Sequence, residues 1–210
     1  STRDTTTANQ FGYPVGYDQQ SVVNAPGYRG TKGGGQNYTQ LNYDVVANVL
    51  TPQFFITYSQ TQLLSAEASF RGWVAGSLST QLYYESGIKA SMDEYLLYPN
   101  VQNPAISVAE ENSFVNQPLV LYNSANALQL INTQYWISSF VNGPEVFANV
   151  RRSGFPVLQT NKYTILSGDG FIHRMAYPNA EDSQNSANYR AAVASMGGDD
   201  LTQHIFWDVP

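Results

Sequence analysis

Acidic side chains stand next to each other at several places in the chain, and a pair of carboxyl groups is what an acid–base hydrolase needs. Three of these pairs are Glu110/Glu111, Glu181/Asp182 and Asp199/Asp200. A glycosidase holds its two carboxyl groups roughly 5–9 Å apart across a cleft, and neighbours in sequence rarely provide that geometry. We interpret all three pairs as solvated surface groups and expect no catalytic residue.

A further carboxylate, Glu67, lies on the apolar stripe of a predicted helix. An ionised carboxylate is costly at such a position unless it is paired. Arg71 follows four residues later, on the same side of a helix. We therefore expect a structural ion pair. A catalytic role would require Glu67 to face a cleft instead of Arg71.

The sequence contains few residues that could act as a catalytic nucleophile or bind a metal ion. The chain has no cysteine and only two histidines, His173 and His204, which are far apart and have no acidic partner at ligand spacing. We expect both to be packing or surface residues, and predict no metal site and no cofactor. The run GTKGGG at 30–35 lacks the strand and helix of a phosphate loop, so it is predicted to be a flexible loop.

The composition narrows the classes of partner. Of the 210 residues only 12% are charged, the net charge is −6, and there are 15 tyrosines. An acidic surface repels phosphate, which argues against a nucleic-acid partner. No stretch approaches the roughly 18 apolar residues of a transmembrane helix. The chain begins at Ser1 without a signal sequence, so we expect a processed product, an expressed fragment or a piece of a longer protein.

Helical periodicity dominates the middle of the chain. A pattern with a 3.6-residue period begins near Thr51, and a second helix ends near Tyr98, with Gly76 and Ser77 as the cap residues between them. Two helices joined by so short a turn pack antiparallel. The helix over 124–141 is apolar nearly all round and should be buried on several sides. Further helices are predicted over 104–115, 144–153 and 186–196.

The two ends of the chain are predicted to be mostly loop. Glycine and proline punctuate residues 1–50, and residues 156–180 alternate loop with short extended pieces at 163–165 and 171–177. The apolar tail at 205–207 is expected to be docked.

Tyrosines and amides in the first loop segment suit carbohydrate recognition. Aromatic faces cover the C–H patches of a sugar ring, and neutral amides or carboxylates bind its hydroxyl groups. Ordinary packing is the alternative for each tyrosine. The residues we predict to contact a ligand are Tyr13, Tyr17, Asp18, Tyr28, Asn37 and Tyr38.

Six motifs follow one another along the chain: LLSAEASFRGW at 63–73, YYESGIKASM at 83–92, QYWI with NGPEVF between 134 and 147, RRSGFP at 151–156, RMAYP at 174–178 and FWD at 206–208. In this order they resemble the motifs of the SusD/RagB family of nutrient-binding outer-membrane lipoproteins. The loop GYPVGYD at 12–18 is also similar to a family loop. Together the motifs cover nearly the whole chain.

The resemblance implies a mainly α fold. Its tetratricopeptide-like helix pairs form a SusD-like α-α superhelix with long irregular loops and a few short strands. Residues 1–210 would be the C-terminal part of one such domain. Within it, 1–50 is a loop-rich segment, 51–155 holds the helical pairs, and 156–210 holds loop, short strands and the last helix.

The resemblance also implies a function without catalysis. Such a protein binds an oligosaccharide or another nutrient at the bacterial cell surface and delivers it to a partner TonB-dependent outer-membrane transporter. It is lipid-anchored on the extracellular face of the outer membrane through a segment absent from this chain, and the missing N-terminal part supplies much of the ligand site. The alternatives are a structural helical-repeat interaction protein and a carbohydrate-active enzyme.

Overall fold

A computed structural model describes residues 10–74, 78–101, 106–158 and 170–208. The helices in these ranges are α1 (Tyr58–Phe70), α2 (Thr80–Glu94), α3 (Val108–Val115), α4 (Ala127–Ser138), α5 (Gly143–Ser153), α6 (Asn179–Gln184) and α7 (Ser186–Met196). Two short antiparallel strands, β1 (Thr31–Lys32) and β2 (Gly35–Gln36), form a hairpin. The mainly α fold with a few short strands is confirmed.

The chain divides into two compact units. The loop unit consists of Ser1–Gln40 and Leu158–Pro210, and the helical unit consists of Leu41–Val157. Each unit is described below by itself.

Helix α1 begins later than the periodicity near Thr51 predicts. Thr57 is its N-cap: the Thr57 hydroxyl accepts the Gln60 N–H at 3.2 Å, and the Gln60 side-chain oxygen accepts the Thr57 N–H at 3.0 Å. This reciprocal capping box starts a helix at the following residue. Ile56 therefore precedes the helix and is 85% exposed.

The predicted antiparallel pairing of α1 and α2 is confirmed by contacts at both ends of the pair. The hydroxyls of Ser69 and Thr80 lie 3.1 Å apart at one end, and at the other end the Ser59 N–H donates to Glu94 Oε1 at 3.3 Å. The Ser59 hydroxyl also donates to the Gly87 carbonyl, in the middle of α2, at 2.7 Å. A Cβ at Gly87 would lie 2.6 Å from Leu63 Cγ, so the absent side chain permits this close approach. The predicted cap residues at 76 and 77 lie outside the described residues.

The core of the helical unit lies where these two helices meet α3 and α4. Tyr84 is fully buried, and its hydroxyl donates to the Val120 carbonyl at 2.6 Å. Burying so polar a tip without that acceptor would be costly. The buried core residues are Leu63, Ala66, Tyr84, Ile88, Val115, Val120, Ala127, Ile131 and Tyr135.

Helix α4 differs from the prediction in length and in its buried face. The α-helix spans Ala127–Ser138 after a short 3₁₀ turn. Its buried face includes Asn132 and Gln134, whereas Ile137 and Phe140 are 45% and 55% exposed. The expectation of a helix buried on several sides is confirmed, because only Gln129 and Ile137 of α4 are exposed. The buried face is more polar than expected, since Asn132 meets polar groups of α5.

Cap residues set the bounds of α3 and α5. Ser107 caps α3 with Glu110 in a second capping box, while the predicted start at 104 lies outside the described residues. Helix α5 has Pro144 in its first turn and ends at Gly154, whose φ is +72°. That left-handed conformation favours glycine.

In the loop unit, the GTKGGG run is ordered as a hairpin, which corrects the predicted flexible loop. Thr31 pairs with Gln36 and Lys32 with Gly35 across a turn in which Gly33 has a φ of +61°. Helix α7 forms as predicted and ends at Gly197. Helix α6 was not predicted.

The C-terminal tail is held by a polar residue rather than by its apolar ones. Phe206 is 93% exposed and Trp207 37% exposed, but Asp208 is only 4% exposed. The predicted extended piece at 171–177 pairs with no strand in the described residues. The other predicted extended piece, residues 163–165, lies outside the described residues.

Candidate functional site

Four of the six predicted ligand residues come together on the loop unit. The rings of Tyr13 and Tyr38 meet edge to face, with centroids 5.2 Å apart at 63°. Desolvation raises the pKa of the Tyr13 hydroxyl, and the charge of Asp18 and the neighbouring Tyr38 and Tyr28 raise it further. We call Tyr13, Tyr28, Tyr38, Asp18 and Gln36 the tyrosine patch.

The backbone brings the two ends of this patch together. The Phe11 N–H donates to the Thr39 hydroxyl at 2.9 Å, and the Thr39 N–H donates to the Phe11 carbonyl at 2.8 Å. The Arg29 guanidinium covers the Phe11 ring at 3.4 Å from its centroid, an attractive cation–π geometry. Tyr13 and Tyr38 therefore extend from two segments that are tied to each other.

Gln36 is a patch residue that was missed by sequence reasoning. Its side-chain oxygen accepts the Tyr28 hydroxyl at 2.6 Å, and its amide donates to the Gln19 carbonyl at 3.3 Å. The hairpin pairing that places Gln36 opposite Thr31 is the signal that could have found it, but two-residue strands next to three glycines carry little β propensity.

The other predicted residues have structural contacts of their own. Asp18 Oδ1 accepts the Gln20 N–H at 3.0 Å and the Ser21 N–H at 2.6 Å, so Asp18 binds the backbone at the start of the 3₁₀ turn Ser21–Asn24. The Asn37 amide donates to the Arg29 carbonyl at 3.2 Å. Tyr17 is half-buried.

A separate pocket lies inside the helical unit. Its volume is about 150 Å³, and Phe54 and Tyr98, with ring centroids 5.6 Å apart, form part of its wall. The Gln60 amide donates to the Ser139 hydroxyl at 2.9 Å, and burial raises the pKa of Glu94. Among the described lining residues Glu94 is the single carboxylate, so a two-carboxylate arrangement is not formed there.

The predicted ion pair of Glu67 with Arg71 is confirmed and extended by a second arginine. Glu67 is 3% exposed; Arg71 Nε lies 2.8 Å from its Oε1, and Arg152 donates to both carboxylate oxygens at 2.8 and 2.9 Å. Burial by itself raises the pKa of Glu67, but the bonds and charges of Arg152 and Arg71 outweigh it and the pKa is lowered. Glu67 is thus a structural ion, not a proton donor.

Glu111 and Asp199, which were predicted to be solvated, are largely shielded from solvent. Glu111 is 8% exposed. Asp199 pairs with Arg174 at 3.0 Å and accepts the Tyr177 N–H at 3.2 Å. The solvated interpretation was therefore wrong for these two residues, because neither lies on an open turn or helix face once the chain is folded.

The two histidines lie together although they are far apart in sequence. Both imidazoles contact the Asp208 carboxylate, and the three residues form the one described group of histidine and carboxylate side chains with the spacing of metal ligands.

The chain is similar to proteins of a known family. A family profile described as "Starch-binding associating with outer membrane", SusD-like, matches residues 10–178. No curated protein sequence matches the chain significantly. In the described ranges, no helix combines the length and apolarity needed to cross a bilayer.

Solved structures show the same likeness. A chitin-binding protein is 36% identical, with a TM-score of 0.65 over 76% of this chain and 34% of that chain. A SusD-like protein from Bacteroidetes AC2a is 31% identical, with a TM-score of 0.66 over 74% and 30%. A chitin-binding SusD homologue from Flavobacterium johnsoniae is 27% identical, with a TM-score of 0.53 over 72% and 36%.

This chain thus spans about a third of the length of these structures. The profile match, the helix pairs and the ordered motifs all agree: the chain belongs to the SusD-like family.

Proposed function

We propose that this chain is part of a non-catalytic protein that binds an oligosaccharide at the bacterial outer membrane. The observation that carries the proposal is the tyrosine patch, where Tyr13 and Tyr38 meet at 5.2 Å beside Asp18. Family membership and the chitin-binding relatives support a glycan as the ligand.

The chemistry of the patch fits a neutral sugar. Tyr13 is 41% exposed, which leaves ring surface for the C–H face of a pyranose. Asp18 and Gln36 supply carboxylate and amide groups beside the rings, and such groups bind hydroxyls. The patch is held by a hairpin and by the Phe11–Thr39 bonds, so little order would have to be gained on binding.

Calorimetric titration with chitohexaose and with maltohexaose tests the proposal. We expect Tyr13→Ala and Tyr38→Ala to weaken binding by about five- to thirtyfold, the equivalent of roughly 1–2 kcal/mol per lost aromatic contact. Tyr43→Ala is the matched control, because Tyr43 is 72% exposed and belongs to the helical unit. Equal affinity in all three variants would refute the tyrosine patch as the ligand site.

The absence of catalysis is part of the proposal. The Glu67 carboxylate is held by two arginines, and Glu94 is the single carboxylate among the described residues of the helical pocket, which supports a role in binding alone. Prolonged incubation with the same oligosaccharides, followed by product separation, should return them intact. Shortened products would refute this part.

We also propose that the whole protein is lipid-anchored on the extracellular face of the outer membrane. There it would pass its ligand to a TonB-dependent transporter. The family description, which names outer-membrane association, supports this placement. Protease shaving of intact cells and co-purification with a transporter of that class are the tests. A protein protected in intact cells would contradict the proposed orientation.

A further inference from the structure

Two imidazoles converge on one carboxylate in the loop unit. His173 Nδ1 lies 2.7 Å from Asp208 Oδ2, and His204 Nδ1 lies 3.2 Å from Asp208 Oδ1. The two ring centroids lie 3.8 Å apart, and the ring planes are tilted by 35°. One ligand atom from each residue lies within 4.8 Å of the others.

This arrangement is held by backbone bonds on both sides. The His173 N–H donates to the Leu201 carbonyl at 2.8 Å, and the Asp208 N–H donates to the Ile205 carbonyl at 2.9 Å. The side chains of His173 and Asp208 are 9% and 4% exposed, while that of His204 is 38% exposed. Two of the three groups are therefore buried and fixed, and the third opens to solvent.

We infer that His173, His204 and Asp208 form a binding site for a divalent transition-metal ion, for which Zn²⁺ is the probe. Two imidazole nitrogens and a carboxylate oxygen are a ligand set that binds Zn²⁺ with an open position. Ca²⁺ and Mg²⁺ prefer sites made of oxygen alone. The expectation of no metal site rested on sequence spacing, which the fold overrides.

The two nitrogen–oxygen distances require only a small adjustment. Ligands about 2.0–2.1 Å from a tetrahedral ion lie roughly 3.3 Å from one another. The 3.2 Å between His204 Nδ1 and Asp208 Oδ1 already fits, and the 2.7 Å between His173 Nδ1 and Asp208 Oδ2 has to open by about 0.6 Å on that geometry. The ion would replace the hydrogen bond between them. Because the two histidines contact different oxygens, the Asp208 carboxylate would face the ion with both.

The bound ion would tie the C-terminal tail to residue 173. Because an ion that binds only the folded state stabilises it, the melting temperature should rise with Zn²⁺ concentration. The effect should disappear when a ligand is removed.

Calorimetric titration of the chain with Zn²⁺, and absorption spectra with Co²⁺, test the inference. We expect one ion per chain. We expect His204→Gln to raise the Kd by at least about 100-fold, since losing even an outer contact of a metal site costs about 10–100-fold. His204 is exposed, so this variant should keep its fold. Asp182→Asn is the control, because Asp182 is an exposed carboxylate of the same unit, 62% exposed.

A measurement on the unsubstituted chain complements the variants. With only two histidines in the sequence, long-range ¹H–¹⁵N spectra contain two imidazole spin systems, and both Nδ1 signals should move on Zn²⁺ addition. Absence of saturable binding, unchanged affinity in His204→Gln, or static Nδ1 signals would overturn the metal site. Each of those results would leave the three residues as a hydrogen-bonded cluster only.

Discussion

Replacing Arg152 with methionine removes the group that neutralises the most deeply buried carboxylate of the helical unit. Arg152 donates to both oxygens of Glu67, to Asn132 Oδ1 at 2.9 Å and to Asn149 Oδ1 at 3.0 Å. Its four bonds join α1, α4 and α5. Methionine keeps much of the aliphatic volume but none of the donors.

The expected loss of stability in Arg152→Met follows from the acceptor groups that stay buried without their donor. Glu67 is 3% exposed, Asn132 1% and Asn149 2%, so four acceptor oxygens on three buried residues lose a partner where water does not replace it. Removing one member of a buried ion pair costs about 3–5 kcal/mol. Arg71 is the matched control: it is 35% exposed and makes one bond to Glu67, so Arg71→Met should cost about 1 kcal/mol or less.

Urea unfolding followed by circular dichroism measures both costs. The slope of each transition should stay constant, so that a shifted midpoint reports stability. Equal losses in the two variants would refute the reasoning, because it assigns the larger role to the bidentate partner.

The pH dependence gives a second check on the same variant. In the parent, the lowered pKa of Glu67 contributes stability that is present above the unfolded-state pKa and is lost as the pH falls through the folded-state pKa. In Arg152→Met, burial dominates and protonation of Glu67 relieves the penalty. The difference between parent and variant should therefore shrink in acid, and a difference that grows would contradict this assignment.

Three further substitutions test the frame of the helical unit. Gly87→Ala places a Cβ 2.6 Å from Leu63 Cγ and should destabilise the chain by about 1–3 kcal/mol in urea unfolding; a neutral effect would contradict the close approach. Thr57→Ala removes the capping box with Gln60 and should cost about 1 kcal/mol, measured in the same way. Burial raises the folded-state pKa of Glu94, so the parent loses stability as the pH rises through that pKa. Glu94→Gln should therefore increase the unfolding free energy, relative to the parent, more at pH 7 than at pH 4. An equal difference between variant and parent at both pH values would contradict the raised pKa of Glu94.

Local signals predicted the parts of the fold that depend on local chemistry. The proline in the first turn and the glycine at the end of α5 predict its bounds, because cap geometry is set within a few residues. The spacing of Glu67 and Arg71 predicts their pairing for the same reason. The start of α1 was predicted too early because the periodic pattern extends to residues before Thr57, whereas the capping box at Thr57 sets the boundary.

The parts that were missed depend on contacts between distant residues. The second partner of Glu67 comes from α5, and Asp199 and Arg174 pair across α6 and α7. Sequence periodicity does not predict the contact between His173 and His204, since both residues lie in segments without regular secondary structure. Of the candidate site, the tyrosines were named from composition, but Gln36 depends on the pairing of the hairpin.

Several charged side chains of this chain form buried pairs, whereas the tyrosine patch contains a single charged residue. Few residues are charged, and several of those lie in partly or fully buried pairs such as Glu67 with Arg152 and Arg174 with Asp199. Buried, hydrogen-bonded charges fix geometry, whereas strong surface charge would attract counter-ions and charged ligands. The tyrosine patch, with Asp18 as its one charged member, therefore has the low charge that a neutral sugar requires.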